Sequence, residues 1–462
     1  MKNRKMLFPL SFLLLGFLVF CFSCKDETYT YRKDQSGGVP YDPALPVEVT
    51  EFIPEKGKIR EKVIISGQNF GNDPSNVRVF FDDGYSDKEA QVISVNGTSI
   101  YCLAPRQSDG RSRIKVRVAD EKEAVASEYF QYMAAASVSW VAGAGKRDGS
   151  GAKYNDGTLS ESNFWKIHGI VALGDNQIMT FGYYEDKANN VRMISVNDDK
   201  VITVQSGVYL GKPAINEAKT VVYATPLNPP HTVYQYRKEV GWTPYAMGEI
   251  IVPKYTTCCD RIRSLVMMDE AHDPNQEWLY FCHKNQTFGR YNVNTEVTEI
   301  LADETLDMPV NAFAGYMVYD HTKDCFYVSL FDSYSIYKIS KTGADWSDGV
   351  QSELYAGSPS GSAVIDGDLK DARFKRPMGM CMDEEGNLYV CEGSGADVIR
   401  KISGIDGYVS TIAGTLGIGE PQVNGDPAEA VFLEPQDISY DGEGNFFITE
   451  WWESTIRKYS IE

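Results

Sequence analysis

The sequence predicts an all-β chain: a small strand sandwich followed by a six-bladed β-propeller. Three observations predict it. Aromatic residues make up 12% of the 462 residues, with 28 Tyr beside 40 Gly, a composition suited to short strands joined by tight turns. Apolar and charged positions alternate over strand-length runs, as in Ile114-Lys-Val-Arg-Val118, the pattern of a strand with one wet face. From residue 134 onward the sequence repeats itself, and Gly357 to Gly414 spans 57 residues. Hairpins at a fixed period of that length mean propeller blades. A chain of 462 residues is also too long for one ordinary core.

The first element is a targeting signal. Lys2, Arg4 and Lys5 precede a mostly apolar run from Met6 to Phe22, and then Ser23-Cys24. Starting so early and ending in a small residue, this run reads as a signal peptide over residues 1–23 rather than a membrane span. Cys21-Phe-Ser-Cys24 resembles a bacterial lipobox, with Cys21 where Leu is usual, and the resemblance makes Cys24 the lipidated first residue. Lys25-Asp-Glu27 resembles the acid-rich tag of Bacteroidetes lipoproteins that face the cell exterior. The resemblance implies an outer-membrane, lipid-anchored protein that touches membrane through its lipid only. The competing reading is a plain cleaved signal with a chance cysteine. Residues 24–45 are polar and rich in Gly and Pro, and read as a flexible tether.

Residues 46–133 form the small β-unit. Its strands are Lys62-Val-Ile-Ile-Ser66, Val77-Arg-Val-Phe-Phe81, Ala90 to Val95, Ser99 to Leu103, Ile114 to Val118 and Tyr129 to Tyr132. Phe52-Ile-Pro54, Ile65-Ser-Gly-Gln-Asn-Phe-Gly71, Val79-Phe-Phe81 and Leu103-Ala-Pro105 together resemble an IPT/TIG domain. The resemblance implies an immunoglobulin-like sandwich that acts as spacer or interaction module.

Residues 134–462 repeat. Val141-Ala-Gly143, Tyr355-Ala-Gly357 and Ile412-Ala-Gly414 each lead to an Asp-Gly or Gly-Asp turn and then to a Phe at 164, 374 or 432. After the last two come near-identical hairpins, Met380 to Glu392 and Ile438 to Glu450, each with a Gly-Asn turn, and then Ile399-Arg-Lys401 and Ile456-Arg-Lys458. These segments resemble NHL repeats. Gly143 to Gly357 spans 214 residues, about four periods, so six blades start near residues 144, 208, 255, 303, 358 and 415. The last blade lacks a fourth strand, while Ser137-Val-Ser-Trp-Val-Ala142 is an Ala-Gly strand with no blade before it. It is expected to complete blade 6 and close the ring, which removes exposed edges.

Charge and motifs narrow the function. Lys+Arg 45 against Asp+Glu 64 gives a net charge of −19, which repels phosphate backbones and argues against nucleic acid as a partner. Seven cysteines fall in the folded part without a CxxC pair, and read as buried free thiols. No nucleophile elbow, phosphate-cradling loop or catalytic triad signature is visible, no cofactor is called for, and the Asp-Gly turns lack the alternating pattern of a calcium loop. The five histidines, 168, 231, 272, 283 and 321, show no metal-ligand spacing. His168, His231 and His283 nevertheless fall in loops of one face, which leaves open a three-histidine site of the kind some propeller lyases carry.

The expected binding face is built from loops between the second and third strands and loops leading into each blade. The former supply Tyr183, Tyr184, His231, Glu392, Glu450, Trp451 and Trp452; the latter supply Trp165, His168, Arg376 and Glu434. Neighbouring Trp451 and Trp452 beyond a strand end should leave at least one indole exposed. Aromatics beside carboxylates suit stacking on sugar rings, although either indole could instead pack between blades. The order of lipid anchor, IPT/TIG domain and NHL propeller resembles surface lipoproteins of Bacteroidetes polysaccharide-utilisation systems. That resemblance implies a non-catalytic role in capturing polysaccharide or oligosaccharide beside an outer-membrane importer. A protein-interaction scaffold using the same face is the alternative, and a lyase or hydrolase the third.

Overall fold

The structure, a computed structural model, describes residues 38–461 except 85, 108–109, 146–154, 183–188, 253–260, 270–276, 284–286, 304, 310–313, 418 and 420. The signal, Cys24, Tyr183, Tyr184, Cys258 and Cys259 lie outside the described residues. Two compact units are present, one ending at Met133 and one beginning at Ala134.

In the first unit, eight strands share one hydrogen-bonded network. The strand Asp87–Val95 links its two layers, pairing with Val77–Asp82 through its first half and with Ser99–Leu103 through its second. The inward positions Val63, Ile65, Phe81, Ile100, Ile114 and Phe130 are all 0% exposed, and Phe81 meets Phe130 edge-on at 5.1 Å. The Gly67-to-Gly71 turn has a physical reason. Phe70 is buried, Asn69 is left-handed at φ 61°, and its side chain bonds the backbone of Asp42 at 2.9 and 2.8 Å and of Leu45 at 3.0 Å. The described end of the expected tether is therefore held against this turn.

The second unit is six four-stranded antiparallel sheets, the six-bladed propeller expected. The blades span 167–206, 214–249, 262–302, 314–357, 377–413 and 435–461, the last completed by Ala136–Ala142. That closing strand pairs Val138 with Tyr459 and Trp140 with Arg457, as the missing fourth strand requires. The repeated Ala-Gly has a steric cause. Gly143, Gly357 and Gly414 have φ of 108°, 87° and 103°, and a Cβ there would meet a backbone oxygen at 2.9, 2.5 and 2.6 Å, so only glycine fits without strain.

The Arg of the Ile-Arg-Lys motif is the buried strap of its blade. Arg400 donates to the carbonyls of Arg373 and Ile365 at 3.0 and 2.9 Å, to Asp366 at 2.9 Å and to Glu392 at 2.5 Å. It lies 5.1 Å from the ring of Phe374. Arg457 makes the matching set with Val431, Val423, Asn424 and Glu450, over Phe432. Arg192 repeats it in blade 1 with Asn163, Asn155 and Asp156, over Phe164. There the carboxylate position, opposite the first strand residue, is Gly182. The Asp-Gly turns that could have suggested calcium are used otherwise: Asp156 and Asp366 also bind Thr203 and Thr411 of the outermost strands. Blades 3 and 4 are joined mainly by rings, with Phe326 4.8 Å from Tyr280, 4.9 Å from Trp346 and 5.3 Å from Phe288, and by the buried Arg290, which donates to the Tyr280 hydroxyl at 3.1 Å and lies 3.7 Å from Asp345. Cys102, Cys282, Cys325, Cys381 and Cys391 are buried free thiols.

Candidate binding face

The inner strands of the six blades surround the axis and are stitched to one another. Ser264 accepts from the amide of Met317 and Asp437 from that of Ile170. Toward the later residues of these strands the axis opens into a cavity of about 210 Å³ lined by all six blades. The Lys212 ammonium, on that lining, donates to Asp437 at 2.7 Å and to the carbonyls of Met380 and Ile438 at 2.7 and 3.1 Å. Burial raises the carboxyl of Asp437 against the pull of Lys212.

The first residues of the inner strands build the opposite end. His168 is buried there, its Nε2 3.0 Å from the Tyr209 hydroxyl and its ring edge-on to Trp451 at 4.6 Å. Its carbonyl accepts from the Tyr316 hydroxyl at 2.9 Å, which in turn accepts from Gln436 at 2.6 Å. Burial, then Arg263, Arg261 and Lys166, push His168 well below the ordinary histidine range, so it is neutral near pH 7. The Lys166 ammonium lies 5.2 Å from the ring of Trp165 and 5.3 Å from that of Trp451, a cation between two indoles. Lys166 and Glu434 occupy equivalent places before the inner strands of blades 1 and 6, both left-handed at φ 44° and 55°.

Around this mouth, Arg263 and Arg376 pack on the same ring, Phe331, at 4.8 and 5.2 Å. Arg376 donates to Ser394, whose hydroxyl donates to Glu434 at 2.8 Å. Trp451 is half-buried, its amide bonded to the Glu434 carbonyl at 3.0 Å, and Trp452 beside it is 55% exposed. The structure thus gathers Trp165, Arg376 and Trp451 with His168 and Glu434, and leaves Trp452 open to solvent.

Three of the expected residues stand elsewhere in role. Glu392 and Glu450 are 0% exposed because the straps take their carboxylates, so neither offers an oxygen at the surface. Burial raises both, Glu450 to about 7. His231 is buried, its Nδ1 2.9 Å from the Pro226 carbonyl and its ring 6.2 Å from that of His283. Among the described residues no group of three or more His, Cys, Asp or Glu could hold a metal. Lys166, Tyr209, Arg261, Arg263 and Tyr316 were missed. Arg263 and His168 are both the second residue of an inner strand, so aligning strand starts rather than loops would have found the arginine.

Fold and site together define a two-unit β-protein whose propeller mouth gathers aromatic rings with charged groups. Residues 46–132 match the IPT/TIG domain. A solved protein of unknown function from Bacteroides thetaiotaomicron VPI-5482 is 38% identical, with a TM-score of 0.81 over 92% of this chain and 100% of that one. The chain belongs to the same family as that protein. Two auxiliary nutrient binding proteins, from Bacteroides thetaiotaomicron VPI-5482 and Bacteroides ovatus ATCC 8483, share the fold at 22% and 19% identity, each with a TM-score of 0.56. Their alignments cover 92% of this chain and 99% and 100% of theirs. A search of curated protein sequences finds no match.

Proposed function

We propose that this chain is a non-catalytic lipoprotein of the outer cell surface, anchored at Cys24, that binds glycan at the propeller mouth as an accessory to polysaccharide capture. The observation that carries the reading is the mouth itself: half-buried Trp165 and Trp451 around the Lys166 ammonium, exposed Trp452 next in the chain, and Arg376 linked to Glu434 through Ser394. Indole faces stack on sugar rings, and charged groups at the edge orient hydroxyls. The nutrient-binding role named for two proteins of the same fold supports this reading, as does the sequence order of signal, IPT/TIG domain and NHL-type propeller.

A glycan array followed by calorimetry tests it. One polysaccharide class should bind, and Trp452→Ala should weaken that binding about tenfold, equivalent to about 1.4 kcal/mol, with the melting temperature unchanged. An array without any bound glycan would remove the reading and direct the search to a protein partner.

A further inference from the structure

Among the described residues, the charges acting on His168 are opposite in sign to the chain as a whole. The whole protein carries −19, yet the charged side chains acting on His168 are Arg263, Arg261 and Lys166, all cationic. Two of the local guanidinium groups, from blades 3 and 5, share one face partner, Phe331. Like charges drawn to one ring repel across a partly desolvated space, and that arrangement is relieved by an anion. Among the described residues Asp332 acts on Arg263, and Glu434 faces Arg376 but is also shared with Lys166, Ser394 and a second carboxylate, Asp397. An anionic ligand meets such arginines in the forked geometry that guanidinium groups favour.

We propose that the mouth selects an acidic glycan, one bearing carboxylate or sulfate groups, a proposal that rests on the glycan-binding reading above. The arginines around Phe331 take the anionic substituent, and the indoles of Trp451 and Trp452 take the adjoining ring faces. Electrostatic capture in this form is weakened by salt.

The test uses the full chain and matched glycan pairs in calorimetry: oligogalacturonate against its fully methyl-esterified form, and chondroitin sulfate oligosaccharide against its desulfated form. An array of acidic and neutral glycans is run alongside. The expected result is binding of an acid form at least about tenfold tighter than its neutralised or desulfated partner, weakening between 50 and 500 mM salt on the order expected from screening. Whichever pair shows it tells carboxylate from sulfate. Arg376→Met should weaken that binding about tenfold, and exposed Asp332→Asn should tighten it about twofold to threefold, since it removes a competing carboxylate. Thermal unfolding checks that both variants fold. Binding confined to neutral glycans, or acidic binding indifferent to both substitutions, overturns the charge selection and leaves glycan binding standing. An array with no bound glycan of either kind overturns both.

Discussion

In blades 5 and 6 each third strand grips its neighbouring loop through one buried arginine, whereas blades 3 and 4 meet across a cluster of Tyr280, Phe288, Phe326 and Trp346. The two regions have the same four-stranded topology. They differ in how narrowly the residues are specified. A guanidinium that satisfies two carbonyls, an Asp or Asn and a Glu needs each partner in place, so in blades 5 and 6 its surroundings recur closely. A ring cluster is held by contact area and shape, and many large apolar residues meet that need. Blade 1 lies between the two cases, keeping the arginine and the Phe but carrying Gly182 where the others have Glu.

The largest effect should come from breaking a strap. Arg400→Ala leaves the Glu392 carboxylate buried without its cation, and stability to denaturant should fall by about 3–5 kcal/mol. The double variant Arg400→Leu with Glu392→Leu should recover part of that loss, because the uncompensated charge is gone while the carbonyls of Arg373 and Ile365 still lose their donor. A single variant as stable as the parent would show that the strap does not hold the blade.

Next comes pH. Glu450 is raised to about 7 by burial, above its value of about 4.5 in the unfolded chain, so the folded state holds its proton more tightly. Its favourable contribution is complete below the unfolded value and is lost as pH rises through about 7. Comparing Glu450→Gln with the parent at pH 5 and pH 8, the stability difference should change by on the order of 3 kcal/mol in favour of the variant at high pH. A difference independent of pH would mean that the strap, with Arg457, keeps Glu450 ionised throughout.

Gly414→Ala should cost about 2 kcal/mol by strain at positive φ and by the clash with the Asp397 carbonyl, measured by thermal unfolding. The smallest effect belongs to the middle of the ring. Phe326→Leu should cost less than about 1.5 kcal/mol, since the neighbouring rings can repack around another apolar side chain. A loss as large as that of Arg400→Ala would erase the contrast between the two regions.

That contrast also accounts for what could be read in advance. The strap blades were legible through Ile-Arg-Lys, the Phe before each inner strand and the Gly-Asn hairpins. In those hairpins Gly386 and Gly444 take φ of 77° and 85°. Asp383 and Asp441 staple Asn387 and Asn445 at 2.8 and 2.7 Å. The middle blades could be counted by spacing but not delimited, because blade 2 begins with an inner strand of only two residues, Ala214–Ile215. At the mouth, Trp451, Trp452, Trp165 and Arg376 were named from loop position. Glu392 and Glu450 were named by the same logic, yet they turn inward, since each lies two residues from its arginine's cross-strand partner.

The sequence by itself determined the all-β class, the six blades and the closure by the strand near 137–142, because these depend on turn glycines, strand alternation and a period, all local or counted along the chain. Only the tertiary structure decided which charges lie inside and which at the mouth. Glu392 and Arg376 are sixteen residues apart on the chain, and Arg263 comes from another blade. Their placement follows from which side chains the closed ring brings together, and no local pattern encodes that.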